Sequence, residues 1–355
     1  MSSVVNVLIV DDSALVRRVL LRGLGQDPEI RVVGTAGDPY KAQKLINERK
    51  PDVLTLDIEM PNMNGLVFLK QLMRRSPLPV IMVSALTERG SRITLEALAS
   101  GAVDFILKPA ANIRQSLTSM MEELRTKIKI AAKINRHLFE RYSETNRQPM
   151  NRRIETLRSL SDKIIAIGAS TGGPEALRTV LGALPSNTPA TLVVQHMPAG
   201  FTEQLARRLN DETALNVKEA RSGDPVVQGQ VLIAPGDYHL QLVRHEGVYR
   251  VICRKGARMY GHRPSVDVLF RSVAKYAGAN AIGVMLTGMG DDGADAMAVL
   301  RKTGAFTLAQ DAQTSVVFGM PKEAYLRGGA SRLLPLNEIP LAIIDYLNGS
   351  SVWRN

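Results

Sequence analysis

Two stretches of this chain alternate short apolar runs with amphipathic segments, and that rhythm restricts the fold more than any other feature. In residues 1–110, VNVLIV, RVVGTA, DVLTLD, PVIMVS and DFILK read as five strands. SALVRRVLLRGL, DPYKAQKLINER, GLVFLKQLMRR and SRITLEALASG read as the helices between them. Strands apolar along their whole length belong to sheets covered on both faces. Repeated strand–helix units with short connections therefore predict a doubly wound parallel sheet, with functional groups at the carboxyl ends of its strands. A second alternating unit begins near Asp162, with strand candidates IIAIG, ATLVVQ, QVLIA, AIGVMLTG and AFTLAQ. Its middle portion, YHLQLVRHEGVYRVICR, reads as an antiparallel hairpin turning at His245-Glu246-Gly247. The expected fold class is α/β: two doubly wound domains, the second mostly parallel with an inserted antiparallel hairpin.

Between the two units a helical period takes over, with Leu124, Ile128, Ala131, Ile134 and Leu138 at three- and four-residue steps. The polar stretch SETNRQPMNRRIETLRS follows and reads as a solvated tether, a basic partner-binding or membrane-surface helix being the alternative. The expected division is a first domain at 1–119, a helical and basic linker at 120–160, and a second domain at 161–355. Of the net charge of +11, residues 120–160 carry +5, from ten Lys and Arg against five Asp and Glu. The excess thus sits in a linker, neither flanking unit has a helix-turn-helix or zinc-finger pattern, and nucleic-acid binding is not expected. No apolar run is long enough to span a bilayer, and MSSVVNVLIVDD lacks the marks of a signal peptide. The expectation is a cytoplasmic monomer. Cys253, the one cysteine, rules out an internal disulfide and lies in a strand-like segment suited to packing.

In the first unit Asp11 and Asp12 end the first strand, Asp57 the third, Ser84 the fourth and Lys108 the fifth. A parallel sheet brings these ends to one edge. Three clustered carboxylates repel one another unless a divalent cation neutralises them, and Mg²⁺ prefers such oxygen ligands. Lys108 can offset phosphate charge, and Ser84 can hydrogen-bond a phosphoryl oxygen.

In the second unit, KIIAIGASTGGPEAL carries Ser170 in a G-x-S-x-G turn between a strand and a helix. A phosphate-cradling loop or an ordinary turn would use similar residues. A serine nucleophile needs a base, and the base needs an acidic partner. His196 follows the next strand, in ATLVVQHMPAGF, and so shares the sheet edge with Ser170; His262, in RMYGHRPSVD, stays a second candidate. Asp291 and Asp292 follow a further strand in AIGVMLTGMGDDGADAM, where either could instead cap the next helix.

Residues 1–110 resemble a receiver domain of two-component signalling, with DIEMPNMNGL and DFILKP fitting its pattern. The whole chain is similar to the chemotaxis response-regulator protein-glutamate methylesterases. The second-domain motifs are GASTGGPEAL, QHMPAGFT, APGDYHL, HRPSVDVLF, LTGMGDDG and TSVVFGMP. The resemblance implies a flavodoxin-like receiver in which Asp57 accepts the phosphoryl group, Asp11 and Asp12 help it hold Mg²⁺, and Ser84, Phe105 and Lys108 form the switch. It also implies Ser170 as nucleophile, His196 as base and Asp292 as the histidine's partner, with backbone amides near Thr171 and Met289 as oxyanion candidates. The implied reactions are hydrolysis of glutamate γ-methyl esters on chemoreceptors, with no cofactor, and deamidation of receptor glutamines. The implied phosphodonor is a chemotaxis histidine kinase. A nucleic-acid-binding regulator would leave Ser170, His196 and Asp292 without a shared purpose, and a binding-only domain would make them structural.

Overall fold

The computed structural model describes residues 4–60, 63–85, 87–108, 113–134 and 162–350. The chain divides into two compact units, residues 1–149 and 150–355.

In the first unit five parallel strands stand in the order β2-β1-β3-β4-β5. They are β1 (Val5–Val10), β2 (Ile30–Ala36), β3 (Val53–Asp57), β4 (Val80–Ser84) and β5 (Asp104–Leu107). The helices are α1 (Ala14–Leu24), α2 (Pro39–Arg49), α3 (Gly65–Arg75), α4 (Glu88–Ala99) and α5 (Ile113–Ala131). This is the flavodoxin-like order, whose direction switches between β1 and β3. Short polar side chains start the first four helices: Ser13, Asp38, Asn64 and Thr87 each accept a first-turn amide. Helix α5 runs across the expected boundary at 119/120, and its buried stripe contains Leu124, Ile128 and Ala131. Its polar side reaches the same unit: Arg125 donates to the Gly23 carbonyl, and Lys129 pairs with Asp27 and Glu29 at 3.0 Å. Leu138 and the tether lie outside the described residues.

In the second unit seven strands, all parallel, stand in the order β14-β13-β12-β6-β7-β9-β8. They are β6 (Ile164–Ala169), β7 (Ala190–Gln195), β8 (Asn216–Glu219), β9 (Gln230–Ile233), β12 (Ala281–Met285), β13 (Phe306–Gln310) and β14 (Arg332–Leu334). The helices are α6 (Gly173–Gly182), α7 (Phe201–Glu212), α8 (Val266–Tyr276), α9 (Ala294–Lys302), α10 (Met320–Leu326) and α11 (Ile339–Leu347). Every residue of β6, β7, β12 and β13 is buried, which is why these strands read as unbroken apolar runs. Strands β8 and β14 escape that reading, because as edge strands they hold few buried residues. The chain winds from β6 out to β8, then returns to the other side of β6 with β12. The switch point therefore lies between β6 and β12.

The hairpin β10 (His239–His245) and β11 (Val248–Arg254) forms its own two-stranded antiparallel sheet. Its turn residues Glu246 and Gly247 both have positive φ, 50° and 83°, the geometry of a tight two-residue hairpin. Leu240, Leu242 and Val251 face inward, and the buried Ser272 hydroxyl of α8 accepts the Leu242 amide at 2.9 Å while donating to Leu269 O at 2.7 Å. Among the described residues no helix is long and apolar enough to cross a membrane.

Candidate active site

Strand register assembles the site. Ala169, the last residue of β6, pairs with Gln195, the last of β7, so Ser170 and His196 leave adjacent strands side by side. The His196 amide donates to Ala169 O at 3.1 Å, and the Ser170 amide donates across the switch point to Thr287 O at 3.0 Å. The buried Gln195 side chain ties the strand ends together, its Nε2 donating to Ser170 O at 2.9 Å. Gly172, at φ 76°, makes the turn into α6 in a conformation that L side chains rarely adopt. At Gly288 a Cβ would come within 2.8 Å of the Ser170 Cβ and 2.4 Å of the Met320 sulfur, so only glycine fits beneath the serine.

Asp292 separates cleanly from Asp291. Asp291 is 39% exposed at its side chain and pairs with Arg327 at 2.6 Å. Asp292 is buried, and its Oδ2 lies 2.7 Å from His196 Nε2. Nor does Asp292 cap the helix that follows it; α9 starts from Gly293 in the left-handed region. Its carboxylate reaches the start of α8 instead. Oδ2 accepts the Val266 amide at 2.7 Å, while Oδ1 accepts the Ser265 hydroxyl at 2.7 Å and the Asp267 amide at 3.1 Å. A helix N-terminus favours negative charge. Burial alone would raise the Asp292 pKa; His196, Ser265 and the Val266 amide outweigh it and hold the carboxyl below its ordinary value.

With Nε2 held by Asp292, the basic nitrogen left to His196 is Nδ1, which is buried with no hydrogen-bond partner. This reverses the arrangement of chymotrypsin-type proteases, where Nε2 faces the serine. The two candidate bases meet: the His262 ring lies on the His196 ring with centroids 3.8 Å apart and planes 8° from parallel. His239 is engaged elsewhere, its Nε2 lying 2.9 Å from Ala257 O. The loops of the oxyanion candidates both border Ser170. Thr171 O accepts the Thr287 hydroxyl at 3.0 Å, and Gly288, which precedes Met289, accepts the amides of Gly319 and Met320.

The first unit gathers its own polar cluster at the β1/β3 switch. Asp11, Asp12 and Asp57 have carboxylate oxygens within 4.8 Å of one another. Lys108 Nζ bridges Asp11 at 3.0 Å and Asp57 at 2.9 Å. Burial pushes the Asp57 carboxyl up to about 6 against the pull of Lys108, and Asp11 adds to the rise. Ser84 is buried with its hydroxyl 2.9 Å from that of Thr94. Phe105 is buried too, its carbonyl accepting Lys127 Nζ at 2.7 Å.

A CheB methylesterase family model matches residues 165–343, and a response regulator receiver domain model matches residues 7–122. The chain belongs to the CheB methylesterase family. A protein-glutamate methylesterase/protein-glutamine glutaminase of Syntrophotalea carbinolica is 51% identical over 349 residues, covering 97% of this chain and 98% of the relative. The relative of the same name from Pectobacterium atrosepticum is 47% identical and covers 99% of both chains. The crystal structure of the Thermotoga maritima CheB methylesterase catalytic domain aligns at a TM-score of 0.51 and 42% identity. That alignment covers 52% of this chain and 98% of the domain.

For this methylesterase, sequence reasoning missed Gln195, Ser265 and Thr287. Each stands inside or beside a motif that was visible: QHMPAGFT, HRPSVDVLF and LTGMGDDG. What a linear motif does not reveal is which other motif it touches.

Proposed function

We propose that this chain is a phosphorylation-activated serine hydrolase that removes methyl groups from glutamate γ-methyl esters of chemoreceptors and deamidates receptor glutamines. The Asp292–His196 hydrogen bond, with Nδ1 left unpaired at the strand end beside Ser170, is the observation that carries this reading. Ser170 Oγ attacks the ester carbonyl as its proton passes to His196 Nδ1. The tetrahedral intermediate collapses, the C–OCH₃ bond breaks, and Nδ1 returns the proton to give methanol and a γ-glutamyl-serine ester. Water then attacks with the same nitrogen as base, releasing glutamate and restoring Ser170. A glutamine follows the same path and releases ammonia. The Asp292 carboxylate steadies the imidazolium formed in each step. Amides near Thr171 and Met289 stabilise the oxyanion, each such donor being worth about 3 kcal/mol.

The phosphoacceptor unit extends through α5 to Ala131, past the expected boundary at 119/120; the stretch beyond it to residue 160 serves as the tether and 161–355 as the esterase. Asp57 takes the phosphoryl group from a histidine kinase. Asp11, Asp12 and Asp57 suit Mg²⁺, since they offer clustered hard oxygen donors; the ion would neutralise charge on the phosphoryl group. Ser84, Phe105 and Lys108 respond to that group. A phosphoryl group adds about −1.5 to −2 of charge, enough to bias a two-state packing arrangement. The reaction would take place in the cytoplasm.

Methanol release from methylated receptor tests the central assignment. Ser170→Ala should lower turnover by at least about 10⁴-fold with folding intact. Retained turnover would remove Ser170 from the reaction.

A further inference from the structure

We propose that His262 is a positioning residue for the esterase reaction, its ring face holding the His196 imidazole so that Nδ1 meets the Ser170 hydroxyl. The inference rests on the triad reading above. The hydrogen bond from Nε2 to Asp292 fixes the His196 ring at one point and leaves it able to rock about that contact. Nδ1, on the other edge, is buried without a hydrogen-bond partner. A direct restraint on the ring plane is the parallel stack on His262, at 3.8 Å and 8°.

That geometry also rules out a proton relay from His196 to His262. Imidazole lone pairs lie in the ring plane, so two rings stacked face to face cannot pass a proton directly between their nitrogens. Instead, charge that develops on His196 as it takes the serine proton grows against the electron-rich face of a second aromatic ring. The interaction strengthens in the transition state, and its loss should appear in kcat rather than KM.

The loop is built for placement. Met259 and His262 exchange backbone hydrogen bonds at 3.0 and 2.8 Å, closing the turn that carries the ring. Arg263 then pairs with Asp237 of the APGDYHL motif, its Nε donating at 2.9 Å. On the other side the Tyr260 hydroxyl donates to Asp295 at 2.9 Å, and Asp295 is held by Arg327. Three residues beyond His262, Ser265 starts the run of donors that holds Asp292. One short segment therefore sets both the acid and the plane of the base.

The test compares His262→Phe, His262→Gln and His262→Leu in the full chain, with Ser170→Ala as a control. Methanol release gives kcat and KM, and the labelling rate with a fluorophosphonate reports Ser170 activation without receptor contacts. Thermal melting excludes any variant that fails to fold, in which case the Phe and Gln variants decide. Gln and Leu should lower kcat and labelling about 10- to 100-fold with KM within about twofold, while Phe, which keeps a flat ring, should recover most of the rate. Gln and Leu variants within twofold of wild type would overturn the proposal. So would a folded Phe variant as slow as Gln, or a rise in KM at unchanged kcat. If Ser170→Ala is inactive while the His262 variants are normal, this inference alone fails; if Ser170→Ala stays active, the triad reading fails.

Discussion

Asp292→Asn probes how the buried acid works, because each of its oxygens accepts a backbone amide that cannot reverse its role. Oδ2 takes the Val266 amide at 2.7 Å and Oδ1 the Asp267 amide at 3.1 Å. An asparagine NH₂ must therefore face one donor whichever way it turns. The cheaper choice places it at the longer Asp267 contact, where the Ser265 hydroxyl can rotate to accept. The remaining oxygen then still receives Val266 and His196, so the tautomer of His196 survives and the loss is one of charge. For unit charges about 4 Å apart at an effective dielectric near 20, that loss is about 4 kcal/mol, or about 10³-fold in kcat. The displaced amide should cost about 1–3 kcal/mol of folding stability. Because the folded-state Asp292 pKa lies below its ordinary 3.8, its stabilisation is complete above that value and is lost as pH falls through the folded pKa. The stability gap between wild type and Asp292→Asn should thus persist at pH 7 and begin to close below pH 3.8. Methanol release and fluorophosphonate labelling measure the rate, and urea denaturation across pH measures the gap. An Asp292→Asn enzyme within tenfold of wild type, or an Asp291→Asn enzyme equally slow, would refute the reasoning.

Four further outcomes are expected. Gly288→Ala should cost about 1–3 kcal/mol and slow Ser170 labelling, since its Cβ would press on Ser170 and Met320; unchanged melting and labelling contradict this. Asp57→Asn should abolish stimulation of receptor demethylation by a small-molecule phosphodonor with Mg²⁺ while keeping the basal rate. Deletion of residues 1–150 should raise that basal rate, and a folded deletion slower than the intact chain would point to a receiver that assists catalysis. Burial pushes the Cys253 thiol up to about 11 from 9.0, so iodoacetamide at pH 8 should react about a hundredfold faster after unfolding; equal rates would show that the native thiol is not protected.

Helices, strands and the serine turn were legible because backbone periodicity and turn chemistry act within about ten residues. The unbroken apolar runs of β6 and β12 announce strands buried on both faces, and Asp57 and Ser170 stand at strand ends wherever those strands pair. The sequence by itself therefore determined two parallel sheets and the edge of each that carries chemistry. The loop's own residues leave Asp291 and Asp292 equivalent; the family resemblance implies Asp292, and the tertiary structure supplies the physical reason. The two acids are neighbours in the same loop, and what separates them is contact with Val266, 26 residues away, and with His196, 96 residues away. The same holds for His262, which competes with His196 as a base in the sequence and lies against its face in the fold. Such partnerships depend on strand order and on the path of loops between strands, and no local periodicity encodes either one.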